Sequence, residues 1–144
     1  MAEIQHFSNV SFVSGHIRCN ISFDRISESF IRAQRFLGER VLLDCKARMP
    51  LLTGSLQQRS YTTDEGRQVI FPGPYGRFQY MGVVMVDPDT GSPFARPGVK
   101  KVVTDRKLTY SRAEATAQWF ETAKAEHGAD WIAQVKRIAG GRNG

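Results

Sequence analysis

From Asp24 to Arg48 the chain carries one uninterrupted amphipathic pattern, and Pro50 ends it. Ile26, Phe30, Ala33, Leu37, Val41 and Cys45 recur at spacings of four and three, the repeat of one helix face. Ile31, Phe36, Leu42 and Leu43 widen that stripe. Arg25, Glu28, Arg32, Arg35, Glu39, Arg40, Asp44, Lys46 and Arg48 occupy the rest. Asp24 is placed to cap the N-terminus. Proline lacks a backbone donor and biases the residue before it away from helical geometry, so the helix must stop at Met49. At 1.5 Å per residue this predicts a helix about 37 Å long. A helix of that length either crosses a whole sheet or enters subunit contacts. Gly38, in its middle, marks close packing or a bend.

Beyond the helix, Pro50-Leu51-Leu52-Thr53-Gly54-Ser55-Leu56 reads as a corner, with Gly54 permitting a tight bend and Ser55-Leu56 starting an extended segment. Two short strands, 57–63 and 67–71, flank a turn at Asp64-Glu65-Gly66. Pro72-Gly73-Pro74-Tyr75-Gly76 breaks the chain, and 77–81 is a short extended or helical piece. Val83-Val84-Met85-Val86 is a strand, followed by a turn at Asp87-Pro88-Asp89-Thr90-Gly91. Residues 92–112 form an irregular arm or a β-hairpin with basic decoration. Residues 113–138 are mostly helical, with Trp119, Phe120, Ala123, Trp131, Ile132, Val135 and Ile138 on the apolar face and a break or kink at Gly128. Residues 140–144 read as a flexible tail. At the other end, residues 6–23 are rich in β-formers, and Cys19, Ile21 and Phe23 alternate as a strand after a turn at Gly15. The expected fold is α+β in a single domain, 1–144. A long helix in the N-terminal half and a C-terminal helix pack on a small, mostly antiparallel sheet, with an extended hairpin or arm.

The chain has 144 residues, 41% of them hydrophobic, enough for a modest core and not the composition of a disordered segment. No stretch approaches the roughly 18 apolar residues of a membrane span, and the opening Met1-Ala2-Glu3-Ile4-Gln5-His6 lacks the pattern of a signal peptide. The expected setting is a cytoplasm, or a particle assembled in one. Cys19 and Cys45 fall in different elements, without the spacing of a zinc site or a redox pair, and are expected as buried free thiols. The net charge of +6 is spread along the chain: +2 over residues 1–50, +1 over 51–100 and +3 over 101–144. Such a bias fits tolerance of nearby nucleic acid better than grip on it.

No catalytic constellation emerges. His6, His16 and His127 are scattered without ligand spacing, so neither a metal nor another cofactor is expected. Neither a phosphate loop nor a Gly-x-Ser-x-Gly elbow is present. Asp64, Glu65, Asp87 and Asp89 lie in turns, where acidic side chains cap the backbone. Tyr75, Phe78 and Tyr80, with Arg77 between them, form either a base-stacking platform or a core phenylalanine with interface tyrosines, and the second is favoured. Arg96, Lys100, Lys101, Arg106, Lys107 and Arg112 are either a solvated loop or a patch for an acidic partner or phosphate.

The stretch from about Ala33 to Trp131 resembles the minor capsid family of tailed-phage structural proteins, which is related to the wider group of head–tail connector and tail-completion proteins. The wider group shares a helix ending in Pro-x-x-Thr-Gly-x-Leu, here Pro50 to Leu56. It also shares an aromatic segment leading to a glycine, here Tyr75-Gly76-Arg77-Phe78-Gln79-Tyr80-Met81-Gly82, and a C-terminal helix introduced by aromatics, here Trp119-Phe120. The run Val84-Met85-Val86-Asp87-Pro88-Asp89-Thr90-Gly91-Ser92-Pro93 is similar to the minor capsid branch. The resemblance covers about two-thirds of the chain, leaving out residues 1–23, and the wider group does not account for the 92–112 arm. It implies a non-enzymatic virion subunit that forms a ring in the neck, assembled in the host bacterial cytoplasm. Its partners would be copies of itself, the portal or connector and the tail proteins, with packaged DNA nearby but no sequence-specific binding and no membrane. The expected contact surface is Tyr75, Arg77, Tyr80, Val84, Val86, Phe94 and Arg96. The competing reading is a nucleic-acid-binding module using the basic and aromatic segment 75–112.

Overall fold

The long helix lies where its pattern places it. In the computed structural model, which describes residues 8–51, 54–73 and 76–140, helix α1 spans Asp24–Arg48. Met49 turns extended, with φ −79° and ψ 150°, as a residue before proline must. The orphan carbonyl of Lys46 accepts from Gln57 Nε2 at 2.9 Å and Arg112 Nη1 at 3.4 Å. At the other end Phe23, not Asp24, is the N-cap; its side chain caps nothing, and its backbone N–H donates to Asn9 Oδ1 at 2.7 Å. Asp24 is already helical, and its carboxylate instead accepts from Ser22 Oγ and Asn9 Nδ2.

The fold is α+β, with helix α4 (Trp119–Ala139) as the main partner of α1. Val41, Cys45 and Met49 pack with Trp119, Ala123 and Trp131, and Leu37, Leu56, Val69, Phe71, Tyr80 and Phe120 close around them. Trp119 receives Phe71 and Tyr80 edge to face, with ring centroids at 5.7 and 4.8 Å. Burial pushes the Cys45 thiol up to about 12. Cys19, expected to be buried as well, is only half-buried. The predicted α1 stripe turns inward only from Ala33. In the first two turns Ile26 and Phe30 are exposed while Ser27 and Ser29 are buried. Asp44, expected on the solvated face, is buried because it accepts from Trp131 Nε1 at 2.7 Å.

The strands differ from the single expected sheet: among the described residues they form three separate antiparallel pairs. Strands β1 (Val10–Ser14) and β2 (Ile17–Ile21) make an N-terminal hairpin around Gly15, whose φ is +59°. The corner after Pro50 is also not a strand start. Gly54, at φ +76°, caps a short helix α2 (Ser55–Arg59). Gln58 N bonds the Gly54 carbonyl at 2.9 Å. Leu52 and Thr53 of the signature lie outside the described residues. Strands β3 (Tyr61–Thr63) and β4 (Gln68–Ile70) follow, only three residues each.

Their turn is strapped to α1. Asp64, Glu65 and Gly66 all take left-handed φ, at 51°, 56° and 81°. Gln34 Nε2 donates to the carbonyls of Asp64 (3.2 Å) and Glu65 (3.0 Å), and Arg35 pairs with Glu65. Gly38 and Gly66 meet backbone to backbone, so close packing is the reason for the mid-helix glycine.

Helix α3 (Gly76–Met81), strand β5 (Val83–Val86) and strand β6 (Val102–Lys107) complete the body. β5 and β6 pair antiparallel, so part of the 92–112 arm is a hairpin. Residues 113–118 are not helical as expected. They run alongside the body, with Thr116 N bonding Arg48 O and Gln118 N bonding Tyr80 O. Gly128 does not break the last helix, since α4 continues through it to Ala139. Of the expected tail, residues 141–144 lie outside the described residues.

Candidate functional site

The loop between β5 and β6 is built on one carboxylate. Asp87 has no exposed surface. Its Oδ1 accepts from the backbone N–H of Asp89 (2.9 Å) and Thr90 (3.3 Å), an Asx-type turn. Arg96 returns to it from nine residues on: its backbone N and Nε reach Oδ2 at 3.3 and 2.9 Å, and Nη2 reaches Oδ1 at 3.2 Å. Arg96 also pairs with Asp89. Such a two-pronged guanidinium–carboxylate contact is among the stronger polar pairings. Arg96 is thus a strut inside the loop as well as a surface cation.

The Arg96 guanidinium, aided by the Asp89 N–H, holds the Asp87 carboxyl well below the usual carboxylate range. A group whose folded pKa is depressed adds stability above its unfolded pKa and loses it as pH falls. Asp87→Asn should therefore lower the melting temperature at neutral pH, and the gap to the parent should close as pH drops below about 4. Melting curves from about pH 7 to about pH 2 check this. A gap independent of pH would show that the charge of Asp87 is not what matters.

With the loop pinned, α3, β5 and the β5–β6 loop line an open groove of about 610 Å³. Arg77 and Phe78 come from α3, Met85 from β5, and Phe94 and Ala95 from the loop. Lys100 and Lys101 close the far side, with Lys101 Nζ 5.4 Å from the Phe78 ring centroid. Phe94 is 80% exposed. The described lining residues supply cations and apolar surface, with no carboxylate, imidazole or thiol among them. Such a lining can bind and orient an anionic, partly apolar group.

Of the residues expected at a contact surface, the groove brings Arg77 and Phe94 together, with Arg96 supporting the loop behind them. Tyr80 and Val86 are used inside the fold, Tyr80 against Trp119 and Val86 as a buried strand residue. Val84 is half-buried, and its carbonyl accepts from Thr104 Oγ1 at 2.6 Å. Tyr75 lies outside the described residues. The sequence reading missed Met85 and Ala95, which carried no signal: one sits in an ordinary apolar strand and the other in a loop.

Among the described residues no group of three or more His, Cys, Asp or Glu side chains could hold a metal ion. No described helix is long and apolar enough to cross a membrane. The fold and groove define an α+β domain with an open cationic and aromatic cleft. No family model matches the chain, and neither the curated proteins nor the solved structures contain a significant match to it.

Proposed function

We propose that this chain is a structural subunit of a tailed-phage virion, a head–tail connector or tail-completion protein. Copies of it form a ring that joins the portal and capsid to the tail. The reading rests on the ordered motifs at Pro50–Leu56, 75–82, 84–93 and Trp119-Phe120. The observation that carries the self-assembly is the N-terminal hairpin. Its register puts Val10, Phe12, Ser14, Ile17, Cys19 and Ile21 on one face, apolar but for Ser14, and Ser11, Val13, Arg18 and Asn20 on the other, polar but for Val13. Both faces of the hairpin are solvent-exposed, and on the more apolar one Phe12 is 52% and Ile17 71% exposed. An isolated two-stranded hairpin is marginal in water, and an exposed apolar face of this kind is a contact surface. Ile26 and Phe30 in the first turns of α1 are exposed as well. A head-to-tail contact made this way closes into a ring when its rotation closes.

Native mass spectrometry and negative-stain microscopy should find closed rings of the purified chain. The double variant Phe12→Asp with Ile17→Asp should return it to a monomer with unchanged melting temperature, since neither residue is part of the core. Immunogold labelling should mark the head–tail vertex of intact virions. A monomer that persists at high concentration, with no label at the vertex, would sink the proposal. The alternative, a nucleic-acid-binding module in segment 75–112, draws on Arg77, Lys100 and Lys101. A steep fall of DNA affinity with salt would favour it.

A further inference from the structure

We propose that the groove between α3 and the β5–β6 loop docks a short acidic segment of a partner protein that carries a bulky apolar side chain. Charge complementarity selects the acids. Arg77, Lys100 and Lys101 line the groove, and none has an ion-pair partner among the described residues. The two carboxylates of the same loop, Asp87 and Asp89, are already taken by Arg96. Three cations left uncompensated around one groove favour an anionic visitor and suppress a basic one. The apolar side chain is selected by the floor, where Phe78, Met85 and Phe94 face a volume suited to a large aliphatic or aromatic group. Phe94 stands 80% exposed on a loop whose backbone Asp87 and Arg96 hold in place, so it is presented at little ordering cost.

A single-stranded nucleic acid would also meet the cations, but it binds by stacking successive bases on successive aromatic faces. Here Lys101 already lies over the Phe78 ring, and Met85 offers no flat face. Phe94 is the one openly presented ring among the described lining residues. The geometry therefore favours a peptide, whose acids and apolar side chain alternate within one short segment. This inference does not depend on the virion role.

The test uses the full-length chain and a fluorescein-labelled peptide, Gly-Asp-Glu-Phe-Glu-Asp-Gly, followed by fluorescence anisotropy. Peptides with the acids replaced by their amides, or with Phe replaced by Ser, serve as comparisons, together with a labelled oligothymidylate. The acidic peptide should bind, and each comparison peptide should bind at least about tenfold more weakly. Lys100→Glu with Lys101→Glu should abolish binding and instead accept a peptide carrying Lys at the acidic positions. That charge-swap rescue shows that the variant is folded. Phe94→Ser should weaken the parent peptide without changing the melting temperature. Failure of the acidic peptide to bind, equal binding of the peptide lacking Phe, or tighter binding of the oligothymidylate at the same lysines would each overturn the proposal.

Discussion

Gly38→Ala should destabilise the protein by about 3 kcal/mol and lower its melting temperature by about 10 °C, although alanine is the better helix former by about 1 kcal/mol. A Cβ at Gly38 would stand 2.5 Å from the Gly66 carbonyl oxygen and 2.6 Å from its Cα. Both obstacles are backbone, so no side chain can swing aside. The turn cannot retreat easily either. Gln34 holds its carbonyls, Arg35 pairs with Glu65, and a Cβ at Gly66 would itself lie 2.5 Å from the Gln34 carbonyl oxygen. Gly128→Ala in α4 is the matched control. Its Cβ would meet only Lys124 Cγ at 3.6 Å, an ordinary contact. That variant should gain up to about 1 kcal/mol from propensity alone. Urea unfolding of both variants reads the difference directly. If the two substitutions shifted the midpoint in the same direction, the account of the Gly38–Gly66 contact would be wrong.

The second large effect concerns the two tryptophans, and it runs against their depth. Trp119 is 1% exposed and Trp131 5%. Trp131→Phe should nevertheless cost about 2 kcal/mol, and Trp119→Phe clearly less. The Trp131 indole N–H donates to buried Asp44 at 2.7 Å. Its removal leaves that carboxylate with the Arg40 ion pair at 3.2 Å. A hydrogen bond to a charged group contributes roughly 1.5–3 kcal/mol, and leaving a buried ion short of partners is costly. The Trp119 N–H, by contrast, is buried without a hydrogen-bond partner among the described residues. Replacing it with phenylalanine loses some packing but also removes an unpaired donor, and the two effects offset each other. A double-mutant cycle pairing Trp131→Phe with Asp44→Asn should return a coupling energy of about 1 kcal/mol or more. Additive costs would mean that the bond contributes nothing.

Both predictions rest on contacts that the linear pattern hides. The span of α1 was legible because its apolar spacing and Pro50 are local signals. Asp44 was read as a solvent-facing charge, because its burial depends on an indole 87 residues away. The corner at Gly54 was misread as a strand start. A left-handed glycine serves a bend and a helix cap equally well, and α2 is too short for periodicity to show. β3 and β4, at three residues each, are likewise too short to reveal that they pair only with each other. At the groove, the Asp87 turn was legible from Asp-Pro-Asp-Thr-Gly, but the return of Arg96 to the same carboxylate was not. The groove itself joins α3 to residues more than twenty positions later, a proximity that only the β5–β6 pairing creates.

The α1–α4 core also has a consequence for how the chain is made. α1 is complete at residue 48, whereas its partner begins at residue 119 and ends at 139. At roughly 5–20 residues per second a ribosome needs several seconds to add that remainder. During that interval Val41, Cys45 and Met49 have no Trp119 or Trp131 to cover them, and the apolar face of the hairpin is already outside. The nascent chain thus offers two apolar surfaces, before and at the end of α1, before it has a core, the situation that holding chaperones relieve. Of the two, only the one along α1 is closed by the chain's own C-terminus. Phe12 and Ile17 of the hairpin remain exposed after α4 has docked, so one apolar surface present early in synthesis outlasts folding.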